Sequence, residues 1–165
     1  MKFPTLYHYT QGPVDFHLYH AVQPTGPFEM KPYGIWTTDD GEDNWEQWCR
    51  SEEFNLHKLR YRLRMQLKPT ANILWIKNAV QLDEFTRKYR KENNLGFDGY
   101  IDWVTVTNEY QGILIIPYLW ERRLHQSNLW YYGWDCASGC FWSPNVWEHI
   151  ELDRDYRDSN QKRLA

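Results

Sequence analysis

The chain has 165 residues, 42% of them apolar and 25% charged, with a formal net charge of −3. That length supports one domain with a real core, and the charge balance excludes the broad basic field that non-specific nucleic-acid or anionic-membrane binding requires. No run of about eighteen apolar residues predicts a membrane span, so no membrane partner is expected. Aromatic residues reach 18%, with 10 Trp and 12 Tyr. Their flat apolar faces with polar handles suit clefts and interfaces as well as cores. Three cysteines and an N-terminus without a signal-peptide pattern read as reduced thiols in a cytoplasmic protein.

Taken along the chain, "LYHYT" (6–10) alternates as a strand, with His8 and Thr10 on one face between Tyr7 and Tyr9. Pro and Gly mark 11–34 as loop. "GIWTT" (34–38) reads as a second strand. Asn44 is a natural N-cap for a helix, with Gln47 three residues on and Trp45, Trp48 and Cys49 on one face. Residues 57–68 alternate Leu59, Tyr61, Leu63, Met65 and Leu67 with basic residues, which predicts a strand with one buried face and a solvated face bearing Arg60, Arg62 and Arg64. "NILWI" is a further short strand. Leu82, Phe85 and Tyr89 recur at helical spacing, with Gly96 as the stop. "GYIDWVTV" and "GILIIPYL" read as strands separated by a turn, and Ser143 with Pro144 predicts a last short helix. Residues 153–165 are polar and read as a tail, leaving 1–152 as a single domain. Strands and helices mix without regular βαβ alternation, so the expected class is α+β. Neither a dinucleotide-binding nor a phosphate-loop glycine pattern occurs.

Three of these stretches stand in a telling order: "LYHYT", "KPYGIWTT" and "GFDGYIDWVTVTNEYQGILIIP". The order resembles the ADP-ribosyltransferase-like fold, in the branch shared by diphtheria toxin and the poly(ADP-ribose) polymerases. The resemblance implies two small, mostly antiparallel sheets packed with short helices around a cleft, and NAD as substrate. It assigns His8 to the nicotinamide ribose, with Thr10 as its hydroxyl partner. Trp36 takes the place of the ring that stacks on nicotinamide, beside Gly34, with Tyr33 as the alternative ring. Glu109 is implied as the catalytic carboxylate of the strand that follows Gly96, Phe97, Asp98 and Gly99, with Leu114 as the alternative occupant of that place. The implied activity is glycosyl transfer: cleavage of NAD and delivery of ADP-ribose to a macromolecular acceptor, protein or nucleic acid, in the manner of a toxin or virus-encoded effector. Such cleavage builds positive charge on the sugar, which is why a carboxylate, a stacking ring and a ribose ligand are needed together.

Two alternatives keep parts of this reading. An RNA 2′-phosphotransferase-like enzyme would share the fold and use basic residues, for which 60–64 are the candidates. A non-catalytic binding module would offer its aromatic surface to a protein partner. Taken singly, each residue has a plainer account: His8 as a satisfied strand histidine, Trp36 as core, Glu109 as an exposed turn residue. In "WDCASGCFW", Cys136 and Cys140 lack the second pair that a zinc site needs, and a Gly-flanked turn with buried thiols is the simpler reading. At least half of the aromatic run 129–142 is expected in the core.

Overall fold

The computed structural model of the protein describes residues 2–12, 25–26, 29–91 and 100–156. Most of the predicted 11–34 loop, and Gly96, Phe97, Asp98 and Gly99, lie outside the described residues. Strand β1 is Leu6–Thr10 and β2 is Ile35–Thr37. Helix α1, Trp45–Ser51, begins where Asn44 accepts the Gln47 N–H at 3.0 Å. Gln47 returns its side-chain oxygen to the Asp43 N–H at 3.1 Å, a reciprocal cap set one residue earlier than the usual box. A 3₁₀ turn at Leu56–Leu59 precedes β3, Tyr61–Leu67. There follow β4 (Ile73–Ile76), α2 (Ala79–Tyr89), β5 (Arg90–Lys91), β6 (Tyr100–Ile101), α3 (Trp103–Glu109), β7 (Gly112–Ile115), β8 (Ser138–Phe141) and β9 (Trp147–Asp155).

The class is α+β, and the described strands form three small sheets. One has the order β1-β3-β9 and is antiparallel throughout. The second has the order β2-β8-β7-β4, antiparallel except where β4 and β7 run parallel. That parallel pair demands a crossover, supplied by α2, the small β5-β6 ribbon and α3.

Both faces of the second sheet are covered. Ile113, Ile115 and Cys140 pack with Leu82 and Phe85 of α2, Trp103 and Val106 of α3, and the buried rings of 130–134. Leu114 and Phe141 pack with Leu6, Leu63 and Met65 of the first sheet. A strand buried on both faces has no polar alternation to show, which explains the unbroken apolar run of β7. Backbone bonds tie the sheets together. Tyr7 N–H donates to Thr38 O at 2.7 Å, and Thr38 N–H returns to Tyr7 O at 2.9 Å.

Several expectations are corrected. The 57–68 strand begins at Tyr61, because 56–59 close into a 3₁₀ turn. Among the described residues of "GYIDWVTV" only Tyr100–Ile101 is strand, and Trp103 onward is helical. Helix α2 stops at Tyr89 rather than Gly96, since Arg90 and Lys91 pair with Ile101 and Tyr100. The cysteine segment is no turn: Ser138–Phe141 is an interior strand between β2 and β7. Pro144 opens only a 3₁₀ turn, Pro144–Val146, without a side-chain cap from Ser143. The polar tail does not begin at residue 153, because β9 continues to Asp155.

Candidate functional site

A cleft of about 420 Å³ lies where β1 and β2 diverge into their separate sheets. Its volume falls in the range of small-molecule sites. Both strands contribute: His8 from β1, and Trp36 and Thr37 from β2. Trp134, Asp135 and Ser138, at the entry of β8, also line the cleft. Register explains this meeting, since β8 is the direct neighbour of β2, with Trp36 opposite Cys140 and Thr37 opposite Gly139. Trp45 of α1 and Phe54 are further lining residues, and Lys31 and Lys58 are the cations of the lining.

His8 is held by its environment. Its Nδ1 lies 2.7 Å from the carbonyl oxygen of Trp36. A carbonyl only accepts, so Nδ1 carries the proton and Nε2 is the acceptor nitrogen of the ring. Burial lowers the His8 pKa, and the bond to Trp36 O only partly opposes this. The ring is therefore neutral near pH 7, a hydrogen-bond acceptor of the kind that suits a sugar hydroxyl.

Trp36 is half-buried and meets Trp134 edge-on, centroids 4.8 Å apart. Lys31 Nζ sits 5.4 Å from the Trp36 ring centroid and 3.7 Å from Asp135 Oδ2, while Arg123 Nη2 lies 3.8 Å from Asp135 Oδ1. The hydroxyl of Thr37 and the indole N–H of Trp134 are buried without a hydrogen-bond partner within the described protein. A buried polar atom left without a partner is costly in an apolar setting.

The remaining predicted site residues lie elsewhere. The Thr10 hydroxyl donates to the Gly12 carbonyl, and Thr10 does not line the cleft. Tyr33 is exposed, with its hydroxyl donating to Glu29. Gly34 is a packing residue: a Cβ there would stand 2.6 Å from the Phe141 carbonyl oxygen and 2.7 Å from Cys140 Sγ. Glu109 is the last residue of α3 and lies outside the cleft. Its carboxylate accepts from Lys88 Nζ at 2.8 Å and from the Tyr89 hydroxyl, and these bonds hold its pKa below the usual carboxylate value. Leu114 is fully buried between the sheets.

Sequence reasoning passed over Asp135 and Lys31. The available signal was an acid just before a short run of small and apolar residues, "DCASGCF". Its neighbour Cys136 is no nucleophile at neutral pH, because burial pushes its thiol up to about 12. Cys49, Cys136 and Cys140 are all buried free thiols. Among the described residues no cluster of His, Cys, Asp and Glu is placed to hold a metal ion, and no helix is long and apolar enough to cross a membrane. Compared with models of known families, with curated proteins and with solved structures, the chain matches none.

Proposed function

We propose that the chain is an NAD-dependent ADP-ribosyltransferase whose NAD site is the cleft between the two sheets. His8 binds the nicotinamide ribose, Trp36 stacks on the nicotinamide ring, and Asp135 takes the carboxylate role in place of Glu109. One observation carries this reading: a neutral, oriented histidine, a half-buried indole and a carboxylate, drawn from three distant segments, line one cleft of suitable volume.

In the reaction the bond between ribose C1′ and the nicotinamide nitrogen breaks, and its electron pair returns to the nitrogen, which becomes neutral. Positive charge develops on the ribose and is stabilised by the Asp135 carboxylate. Trp36 keeps the leaving ring flat, and His8 Nε2 accepts from a ribose hydroxyl, fixing the sugar's orientation. An acceptor nucleophile on a protein or nucleic acid then bonds to C1′ and releases its proton. Cleavage of NAD thus yields nicotinamide, a proton and the ADP-ribosylated acceptor.

A binding module without catalysis is the second reading, favoured by the cations already paired with Asp135. The 2′-phosphotransferase alternative draws less support from its basic face, because two of the three arginines there are in ion pairs: Arg62 and Arg64 with Asp153, and Arg64 also with Glu151. Nicotinamide release from NAD, followed chromatographically, separates the readings. Asp135→Asn is expected to lower release about a hundredfold or more, and Glu109→Gln to leave it within about twofold, as suits an exposed ion pair. Saturable NAD binding without release selects the module. A collapse in Glu109→Gln with normal turnover in Asp135→Asn overturns the assignment.

A further inference from the structure

Lys31 occupies an unusual position for a surface cation. Its ammonium faces the Trp36 ring at 5.4 Å and the Asp135 carboxylate at 3.7 Å. Its stem is packed on Gly133, where an added Cβ would come within 2.9 Å of Lys31 Cε. The side chain is 38% exposed and also lines the cleft. An aromatic face plus a carboxylate is the pair of features that attracts a cation by ring quadrupole and by charge. Trp36 and Asp135 are also the two residues that the NAD reading assigns to the nicotinamide ring and its ribose.

The nicotinamide ring of NAD is a pyridinium, and so is itself a cation. The ring of NADH is uncharged, and ADP-ribose has no such ring. Two cations held against one indole and one carboxylate oxygen repel each other, so both cannot stay. Lys31 is the one that can leave, because its long side chain is flexible and partly exposed.

We infer, resting on the NAD reading, that Trp36 and Asp135 form a cation subsite filled by the Lys31 ammonium in the free protein and by the pyridinium ring in the complex. Lys31 is thus an internal stand-in that the substrate displaces. It tunes affinity for the charged nucleotide and disfavours neutral-ring analogues, which would uncover the subsite and put no charge back. Asp135 keeps a charge partner in both states, and its second oxygen stays with Arg123.

Titration calorimetry of wild type, Lys31→Met and Lys31→Arg with NAD and with ADP-ribose tests this. Methionine keeps the stem and removes the charge. Lys31→Met is expected to bind NAD about three- to tenfold more tightly, the scale of one exposed cation–π contact and one surface ion pair. Its affinity for ADP-ribose should stay within about twofold of wild type, as should both affinities of Lys31→Arg. Parallel weakening of NAD and ADP-ribose in Lys31→Met would show that Lys31 holds the diphosphate, and overturns the inference. No change in either ligand, or a gain shared by Lys31→Arg, overturns it too, while leaving the NAD site intact. Failure of wild type to bind either nucleotide overturns the NAD reading itself and the inference with it.

Discussion

His8 carries its proton on Nδ1 and resists a second one, which ties fold stability to pH. Burial depresses its pKa below the ordinary 6.5, so below that value the unfolded chain binds a proton that the native ring refuses. Its contribution is therefore complete above 6.5 and is lost as pH falls from there toward the folded pKa. Urea midpoints measured from about pH 7 down to about pH 5 should fall, and fall less in His8→Gln, because that variant has no titrating ring. NAD affinity should hold through that window and fall only at lower pH, once the native ring itself takes a proton and Nε2 no longer accepts. Glu109 has a different fate, although it too is bonded. Its carboxylate is exposed and engaged with Lys88 and Tyr89, away from the cleft. A residue's chemistry was legible here, and its address was not.

At the scale of elements, α3 shows local chemistry outvoting propensity. Val104, Thr105, Val106 and Thr107 are β-branched and read as strand. Asp102 decides otherwise: its carboxylate accepts the Thr105 N–H at 3.2 Å and the Thr105 hydroxyl at 2.8 Å, capping the first turn. Trp103 and Val106, three apart, then drop onto one buried face beside Phe85 and Trp130. Asp102→Ala is expected to cost about 1 kcal/mol of unfolding free energy, read from denaturant melts; an unchanged midpoint would deny the cap its role. Helix α1 is the opposite case. Its cap at Asn44 and its buried Cys49 were both visible in the sequence, because a cap is a contact between residues three apart.

For the whole molecule, β9 matters more than its polar sequence suggests. Arg62 stands opposite Arg154 and Leu63 opposite Leu152, so Asp153 is the extra residue of a bulge. The bulge gives Asp153 to both arginines of β3: Arg62 Nη2 at 2.5 Å and Arg64 Nη2 at 2.8 Å. The side chains of Arg62 and Asp153 are only 13% and 8% exposed, so breaking that pair strands a desolvated charge. Asp153→Asn is expected to destabilise by about 3 kcal/mol, and a chain ending at Leu152 to lose cooperative thermal unfolding altogether. Burial would raise the Asp153 carboxyl, but the arginines outweigh it and hold its pKa down. The pair's stabilisation is thus present above the ordinary 3.8 and lost as pH falls below it. A stable protein ending at Leu152 would restore the tail reading.

By itself the sequence determined what is local. The bounds of β1, the strand character of Ile35–Thr37, the Asn44 cap, the buried stripe Leu82–Phe85–Tyr89 and the mixed α+β class all follow from periodicity and neighbours within a few residues. The burial of Trp130, Tyr131 and Trp134 also agrees with the aromatic run as core. Only the tertiary structure decided which strands became neighbours. Glu109 precedes an apolar strand, and so does Asp135, but β8 pairs with β2 and β7 does not. That single adjacency, between residues about a hundred positions apart, carries Asp135 and not Glu109 to Trp36. Non-local pairing is fixed by how whole faces bury against each other, and no short window of sequence contains both faces.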